Sequence, residues 1–285
     1  AEVPLLLGAV PVFVDVDART FQIDPADLAR RIAAVRAAGT LRPRALIGVD
    51  LFGQPADWAA LGEIAHAEGL FQLDDAAQSF GASFRNRRLG TLGDATAVSF
   101  FPTKPLGGYG DGGALFTESD ERAALYRSLR SHGEGTTRYE VLRIGINGRL
   151  DTLQAAVLLS KMTVFDDELA IRERIARLYD SRLGNAVATP VRVADSTAAW
   201  AIYAILLRDT QARTRVQDGL RGQGVPTAIY YPRPLHLQPA YAHAHDGAAL
   251  PVSEDLAGRI LALPIHPDLT DQDVARISDA VLALV

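Results

Sequence analysis

The sequence predicts an α/β domain with a largely parallel sheet, followed by a smaller α+β domain. In the first half, short apolar runs alternate with segments of helical periodicity. Residues 151–183 form one long or kinked helical pattern, which is typical of a connector between domains. The strand-like and helix-like segments beyond it suggest the second domain. We therefore expect a large domain over residues 1–160, and a connector helix with a small C-terminal domain over residues 161–285.

The elements of the large domain follow from local patterns. Asp24 and Pro25 can cap and open a helix, and a second helix over residues 55–68 would stop at Gly69. Short runs rich in apolar residues predict strands at residues 10–16, 45–51, 70–73, 96–101 and 114–117. A ligand of such a sheet is expected at the carboxyl ends of its strands.

The second half has its own strand and helix signals. Alternation and apolar runs predict strands at residues 199–207 and 225–231, and helices at residues 210–223, 254–263 and 270–284. The first residues, up to Gly8, look like a helix end running directly into a strand, without an initiator methionine or a signal peptide. We therefore expect an N-terminal truncation.

Composition excludes several classes of function. The net charge of −5 and the lack of a long basic stripe argue against nucleic-acid binding. No apolar run reaches the roughly 20 residues that span a bilayer. The 285 residues include no cysteine, which excludes disulfides and thiolate metal sites and fits a reducing cytoplasm. His243 and His245 lack further ligands at workable spacing, so no metal site is expected.

Two adjacent acids follow a buried strand. Asp74 and Asp75 precede Ala76, Ala77 and Gln78. One interpretation is a helix N-cap, a position that favours Asp. The other is a carboxylate at the mouth of the sheet that faces a cationic ligand. Side chains alternate between the faces of a strand, so only one acid can point into a given pocket, and Asp75 is nearer the strand's end.

Lys104 ends the segment Ser99-Phe100-Phe101-Pro102-Thr103-Lys104, which follows an apolar strand. Its charged form would be expensive to bury, so the side chain either reaches the surface or is neutral, as suits a Schiff-base lysine. The glycines from Gly107 to Gly113 lack the Gly-Lys-Ser/Thr of a P-loop and enter a strand rather than a helix. Backbone approaching a bulky ligand would explain them.

Six segments, in this order and spacing, resemble the DegT/DnrJ/StrS family of nucleotide-sugar aminotransferases over essentially the whole chain. They are residues 12–17, 51–57, 74–78, 99–104, 110–114 and 147–151. The resemblance implies the fold-type-I architecture of pyridoxal-phosphate (PLP) enzymes and a homodimer with active sites at the subunit interface. The family has a further N-terminal segment with a Gly-Thr/Ser phosphate-binding turn, which this sequence lacks.

The resemblance also implies roles for single residues. Lys104 would carry PLP as a Schiff base and move the proton between the substrate and cofactor carbons. Asp75 would contact the pyridine nitrogen, Gln78 the ring's 3-oxygen, and Ser99 the phosphate. Asn147 would reach the phosphate of the other subunit's cofactor.

Three segments, at residues 143–147, 155–159 and 225–228, resemble one branch of the family. Its members act on a UDP-linked 2-acetamido-3-keto-glucuronic acid in bacterial surface-polysaccharide synthesis, with glutamate as the usual amino donor. Both substrates carry a carboxylate, which Arg149 could bind bidentately unless it pairs with Asp151 or a helix end. Tyr230 and Tyr231 are expected to contact substrate, and here Tyr230 replaces the histidine of the family's usual His-Tyr-Pro.

Three alternatives follow from the same residues. The substrate could be another keto sugar nucleotide, such as a 4-keto-6-deoxy sugar on UDP or dTDP. The related dehydratases use PLP without a cofactor-linked lysine and typically have histidine at that position, so Lys104 argues against them. The chain could also be a catalytically silent homologue that binds a ligand without turnover.

Overall fold

A computed structural model describes residues 1–137 and 139–285 and divides them into two compact units. The sheet unit contains Arg44–Ala170 and Ala194–Ala201. The terminal unit contains Ala1–Pro43, Ile171–Val193 and Ile202–Val285. This division differs from the predicted boundary at residue 160, because the first 43 residues group with the C-terminal segments.

Helices form most of the regular structure in the described residues. In chain order they are α1 Glu2–Leu6, α2 Pro25–Ala38, α3 Trp58–Glu68, α4 Asp120–Arg130, α5 Thr152–Met162, α6 Phe165–Leu183, α7 Thr210–Gly222, α8 Pro251–Arg259 and α9 Asp271–Leu282. Short 3-10 turns lie at Leu51–Gly53 and Leu235–Leu237. Within the described residues, no helix combines the length and apolar character that spanning a membrane requires.

Four of the strands in the described residues build the main sheet, in the sheet unit. In chain order they are β1 Ala45–Val49, β2 Phe71–Asp75, β3 Ser83–Phe84, β4 Arg87–Arg88, β5 Ala95–Ser99, β6 Gly113–Phe116, β7 Ser196–Thr197, β8 Tyr203–Leu206 and β9 Ile260–Leu263. The main sheet has the order β1-β2-β5-β6, with β1, β2 and β5 parallel and β6 antiparallel to β5. The predicted α/β class with a mostly parallel sheet is therefore confirmed.

Capping residues set the helix ends close to the predicted ones. The Asp24 side chain accepts a hydrogen bond from the Ala26 N–H at 2.9 Å, which caps α2. Helix α3 begins at Trp58 rather than at residue 55, because the Asp57 side chain caps it by accepting from the Ala60 N–H at 3.1 Å. Its C-cap is Gly69, as predicted, in the left-handed conformation.

The predicted strand over residues 10–16 was wrong. Among the described residues, this segment forms only an isolated bridge between Val16 and Ile23. Asp15 instead ties the segment to the start of α8, because its carboxylate accepts hydrogen bonds from the Val252 and Ser253 N–H groups, both at 2.9 Å. These contacts also explain why residues 1–43 belong to the terminal unit.

Two predictions in the C-terminal half also need correction. Within the described residues, 225–231 form only a bridge between Ala228 and Ala262, and Pro226 has no N–H to donate to a ladder. The predicted helix over residues 254–263 is helix α8 followed by strand β9. All four residues of β9 are buried against the equally buried β8, and this pairing overrides the local helical pattern.

The connector is two helices rather than one. Helix α5 ends at Met162 and α6 begins at Phe165, so the predicted long or kinked stretch is interrupted by Thr163 and Val164. Both interrupting residues are β-branched, which is unfavourable in a helix. Phe165 packs its ring against Phe80 at 5.7 Å in the sheet unit.

Candidate active site

The parallel strands bring three candidate side chains to one edge of the main sheet. Asp75 is the last residue of β2, and Ser99 is the last residue of β5. Asp75 pairs with Ala97 across the two strands, two residues before Ser99. Lys104 lies in the turn that follows, where its N–H donates to the Phe101 carbonyl at 2.9 Å. The edge is the predicted one, at the carboxyl ends of the strands.

Asp74 and Asp75 differ in exposure as strand alternation predicts. Asp74 is completely buried, whereas Asp75 is half-buried. One oxygen of Asp75 accepts from the Ala77 N–H at 3.1 Å, and its other oxygen accepts no hydrogen bond from the described residues. Residues 77–81 form turns, so the helix-cap interpretation was wrong. Asp75 therefore offers a carboxylate oxygen to a ligand.

Lys104 is half-buried, with its amine electrostatically coupled to Asp75. Burial lowers the pKa of Lys104, and the attraction of Asp75 opposes this change without cancelling it. Within the described residues, the amine has no hydrogen bond and no ion pair. A half-buried amine that loses its proton more easily than usual is suited to forming a covalent bond to a carbonyl carbon.

The glycine loop between Lys104 and β6 folds against its own chain. A Cβ on Gly107 would lie 2.5 Å from the Pro102 carbonyl oxygen, in the turn that carries Lys104. A Cβ on Gly113 would lie 2.7 Å from the Val98 carbonyl oxygen. At these two positions the close neighbour is protein backbone, which corrects the interpretation that a bulky ligand alone requires the glycines.

Gln78 lies in the turn after Asp75. It is buried, and its Oε1 accepts a hydrogen bond from the Phe52 N–H at 2.6 Å. This bond engages the side-chain oxygen, and the NH₂ end is the part of the amide that donates hydrogen bonds.

Sequence reasoning missed Asp50, which follows β1 and is completely buried. Its Oδ1 accepts from the Ala56 N–H at 2.7 Å and from the Trp58 indole N–H at 2.9 Å, and its Oδ2 accepts from the Ser79 hydroxyl at 3.0 Å. The signal was present in the sequence: an acid directly after an apolar strand, as at Asp75.

Asn147 and Arg149 lie on another, exposed segment of the sheet unit. Asn147 forms an isolated bridge with Ser131. Arg149 has no ion pair among the described residues, and Asp151 instead caps α5 by accepting from the Leu153 N–H at 2.8 Å. The alternative in which Arg149 pairs with Asp151 is therefore not observed. Neither residue contacts Lys104 or Asp75 through a hydrogen bond in the described chain.

Tyr230 and Tyr231 belong to the terminal unit, where both side chains are exposed. Their ring centroids lie 5.5 Å apart, with an angle of 64° between the ring planes. A tyrosine ring combines an apolar surface with a polar phenol group.

The chemistry of the sheet edge fits PLP. A lysine amine with no hydrogen bond to the described residues suits the aldehyde, and a carboxylate whose second oxygen accepts none from them suits a protonated pyridine nitrogen. The Ser99 hydroxyl is half-buried at the end of β5 and accepts from the Phe101 N–H at 3.2 Å, which leaves its proton available for an anionic oxygen.

Comparison with known proteins identifies aminotransferases as the relatives of this chain. The profile of the DegT/DnrJ/EryC1/StrS aminotransferase family matches residues 1–282. The UDP-2-acetamido-2-deoxy-3-oxo-D-glucuronate aminotransferase of Pseudomonas aeruginosa is 43% identical over 99% of this chain and 75% of its own length. The UDP-N-acetyl-3-dehydro-alpha-D-glucosamine 3-aminotransferase of Acidithiobacillus ferrooxidans is 36% identical over 99% of this chain and 73% of its own.

A solved structure also matches closely. The crystal structure of a DegT DnrJ EryC1 StrS aminotransferase from Brucella abortus superposes with a TM-score of 0.95 at 46% identity. The match covers 99% of this chain and 75% of that one. The chain thus spans about three quarters of the length of the relatives it matches.

Proposed function

Because the chain belongs to the DegT/DnrJ/EryC1/StrS aminotransferase family, we propose that it transfers an amino group from glutamate to C3 of a UDP-linked 2-acetamido-3-keto-glucuronic acid. It is a PLP-dependent sugar aminotransferase with the fold of that group. The observation that carries the substrate is the 43% identity, over nearly the whole chain, to the P. aeruginosa enzyme named for that sugar. The amine product would serve surface-polysaccharide synthesis in the cytoplasm, a location that the lack of cysteine supports.

The sheet edge would hold the cofactor. Lys104 would bond to its aldehyde carbon, Asp75 would contact the pyridine nitrogen, and Ser99 would donate to the phosphate. The NH₂ group of Gln78 would donate to the 3-oxygen, because the amide oxygen is already engaged by Phe52. When bound, PLP supplies an electron sink for the negative charge that develops on the reacting carbon.

Asp75 would then set the charge of the pyridine ring, and Lys104 would move the substrate proton. The Asp75 carboxylate favours the protonated form of the pyridine nitrogen, since an opposite charge stabilises a cation. Burial lowers the pKa of the Lys104 amine. This amine would take the proton from the substrate carbon and deliver it to the cofactor carbon. One amine thus acts as base and then as acid.

Arg149 would recognise the carboxylate that both substrates share. Its guanidinium is exposed and forms no ion pair among the described residues, and a bidentate contact to a carboxylate is the geometry it is best suited to make. Tyr230 and Tyr231 would contribute ring surface and hydroxyl groups to the sugar.

A second copy of the chain would complete the site. Apolar side chains that lie exposed before and after Asn147 are Val141, Leu142, Ile144, Ile146, Leu153 and Leu159, and Ile144 is 96% exposed. Monomeric proteins rarely expose so many apolar side chains within one short segment. The interfaces of homodimers, in contrast, are enriched in apolar side chains. We therefore propose a homodimer. In it, residues 141–159 of each subunit would cover the active site of the other subunit, and Asn147 would reach the phosphate of that subunit's cofactor.

The substrate assignment can be tested by comparing three keto sugars under identical conditions. We expect kcat/KM for the UDP 3-keto uronic acid to exceed that for the UDP 3-keto glucosamine and for a 4-keto-6-deoxy sugar by about tenfold or more, because only the first offers a carboxylate. A preference for the glucosamine, which the A. ferrooxidans relative is named for, would move the proposal to that sugar. A preference for the 4-keto sugar would remove C3 as the reacting carbon.

The role of Arg149 predicts a shared effect on both substrates. In Arg149→Lys we expect KM for the keto uronic acid and KM for glutamate to rise by about tenfold each, because lysine cannot make the two-pronged contact. Steady-state kinetics would measure both values. Arg221→Lys is the matched control, because Arg221 is an exposed arginine on α7 that pairs only with Asp218 in the described chain. Unchanged KM values in Arg149→Lys would remove this residue from substrate binding.

The shared site predicts complementation between two inactive variants. Mixed dimers of Lys104→Ala and Asn147→Ala should recover roughly a quarter of wild-type activity when subunits exchange at random, because one of two sites in each heterodimer keeps both residues. Each variant alone, taken through the same exchange, is the control. No gain on mixing, with heterodimers demonstrated by mass spectrometry, would place Asn147 in its own subunit's site or outside the site.

A further inference from the structure

Two buried carboxyl groups lie directly behind the proposed cofactor edge. Asp50 and Asp74 are both completely buried, and their side chains lie within hydrogen-bonding reach of each other. The strand register explains the meeting: Gly48 pairs with Asp74, and Asp50 is two residues beyond Gly48 on the same face. The pair is distinct from Asp75, which points to the opposite face of β2.

Two ionised carboxylates cannot share so small a buried space, since both lose their hydration and repel each other. One proton held between them removes the repulsion and creates a strong hydrogen bond from an acid to a carboxylate. The question is then which residue carries the proton.

The hydrogen-bond donors around the pair answer that question. Asp50 accepts from three donors, on Ala56, Trp58 and Ser79, which stabilise its ionised form. Asp74 accepts from one, the Thr96 hydroxyl at 3.1 Å, and its Oδ1 has no hydrogen-bond partner among the described residues if it carries no proton. A proton on the Asp74 carboxyl group lets this side chain donate a hydrogen bond to Asp50.

The pKa values point the same way. Burial raises the pKa of Asp74 well above the usual carboxyl range, and the charges of Asp50 and then of Asp75 raise it further. Burial also raises the pKa of Asp50, but its three donors oppose this rise. Asp50, directly after β1, and the uncharged Thr96 on β5 face Asp74, whereas Asp75, its neighbour on β2, acts on it through its charge.

The pair is connected to the segment that carries the cofactor contacts. The Asp50 N–H donates to the Asp75 carbonyl at 3.1 Å, and the Asp50 carboxylate accepts from Ser79, which directly follows Gln78. Asp50 therefore holds both ends of the turn from Asp75 to Ser79, and it also holds the start of α3 through Trp58.

We propose that Asp74 is a neutral carboxylic acid that keeps its proton and donates a hydrogen bond to Asp50, and that this pair positions Asp75 and Gln78 for the cofactor. The positioning part rests on the proposed function, in which those two residues contact PLP. Asp74 itself touches neither cofactor nor substrate and acts through Asp50.

Infrared spectroscopy of the holoenzyme tests the protonation directly. At neutral pH the wild-type protein should show the carbonyl stretch of a protonated carboxylic acid, with a shift in D₂O, and Asp74→Asn should lack it. The control Asp218→Asn, which makes the same substitution at an exposed acid, should retain the band. Absence of the band from wild type, or its survival in Asp74→Asn, would overturn the proposal.

Cofactor binding tests the positioning. Asparagine can donate to Asp50 and accept from Thr96, whereas alanine leaves Asp50 without its acid partner. We expect the dissociation constant for PLP to be at least about tenfold higher in Asp74→Ala than in Asp74→Asn. Equal constants for the two variants, or an Asp74→Asn protein that does not fold, would contradict the proposal. If Lys104→Ala transferred amino groups from glutamate to the keto sugar at the wild-type rate, the proposed function would fail while the infrared result still stood.

The pH dependence of thermal unfolding gives an independent readout. The folded protein holds a proton on Asp74 that the unfolded chain releases above the ordinary carboxyl pKa of 3.8. The stability contributed by Asp74 is therefore complete below that value and is lost as pH rises through the raised folded pKa. Asparagine does not titrate, so the Tm of wild type should fall relative to Asp74→Asn as pH rises from mildly acidic to mildly alkaline. A Tm difference that does not change with pH would contradict a neutral Asp74.

Discussion

Lys104→Ala should lower kcat by about 10⁴-fold or more and abolish the covalent attachment of PLP. The substitution removes the amine that would bond to the cofactor and would also move the substrate proton. Steady-state kinetics measures the first effect. Borohydride reduction followed by peptide mass spectrometry measures the second. The assignment of the labelled residue is simple, because Lys104 and Lys161 are the only lysines in the sequence.

Lys161→Arg is the matched control for that experiment. The Lys161 amine donates to the Gly107 carbonyl at 2.7 Å, a bond that arginine can also make, so the glycine loop should keep its conformation. Borohydride should then label the Lys104 peptide in this variant as in wild type. A labelled Lys161 peptide in wild type, or substantial turnover by Lys104→Ala, would contradict the assignment. Attachment of PLP to Lys104 with no turnover on glutamate or any keto sugar would instead favour the catalytically silent alternative.

Asp75→Asn should lower kcat by about 10³-fold with a smaller effect on KM for either substrate. An amide is neutral and cannot hold the pyridine nitrogen in its protonated form by charge, so the cofactor becomes a poorer electron sink. A pH titration of the bound cofactor's absorbance would report the change directly, because the ring nitrogen should lose its proton at lower pH in the variant.

The control for this substitution is Asp218→Asn, at an exposed acid of the terminal unit. It should leave both the titration and kcat unchanged. Asp75→Glu would separate charge from position, because it restores the carboxylate on a longer side chain, and we expect partial recovery of kcat. If Asp75→Asn retained wild-type kcat and an unchanged titration, the ring nitrogen would have to be held by another group.

Local sequence patterns predicted the elements that depend on short-range physics. The caps at Asp24 and Gly69 were placed correctly, because a side-chain oxygen next to a free N–H and a glycine with positive φ act within one turn. Strands β1, β2, β5 and β6 were found from short apolar runs between turn signals. The contrast between Asp74 and Asp75 followed from strand alternation alone.

Patterns failed where a distant partner decides the structure. Residues 10–16 have the composition of a strand, but Asp15 is held by Ser253, 238 residues away. Residues 260–263 continue a helical pattern, yet pairing with β8 makes them a strand. In both places the local preference is weaker than the hydrogen bonds and burial supplied by a segment that is remote along the chain.

The sequence by itself predicted the α/β class with a mostly parallel sheet and the four strands of that sheet, and Asp75 and Lys104 as site residues stay predictions. The class and the strands follow from periodicity and turn chemistry, whereas the roles of Asp75 and Lys104 follow from the family resemblance of their segments. Only the tertiary structure decided that residues 1–43 join the C-terminal segments, that Asp50 and Asp74 meet, and that backbone crowds Gly107. The physical reason is that burial and hydrogen-bond partnership are properties of positions in space, and a linear pattern records only which groups need a partner.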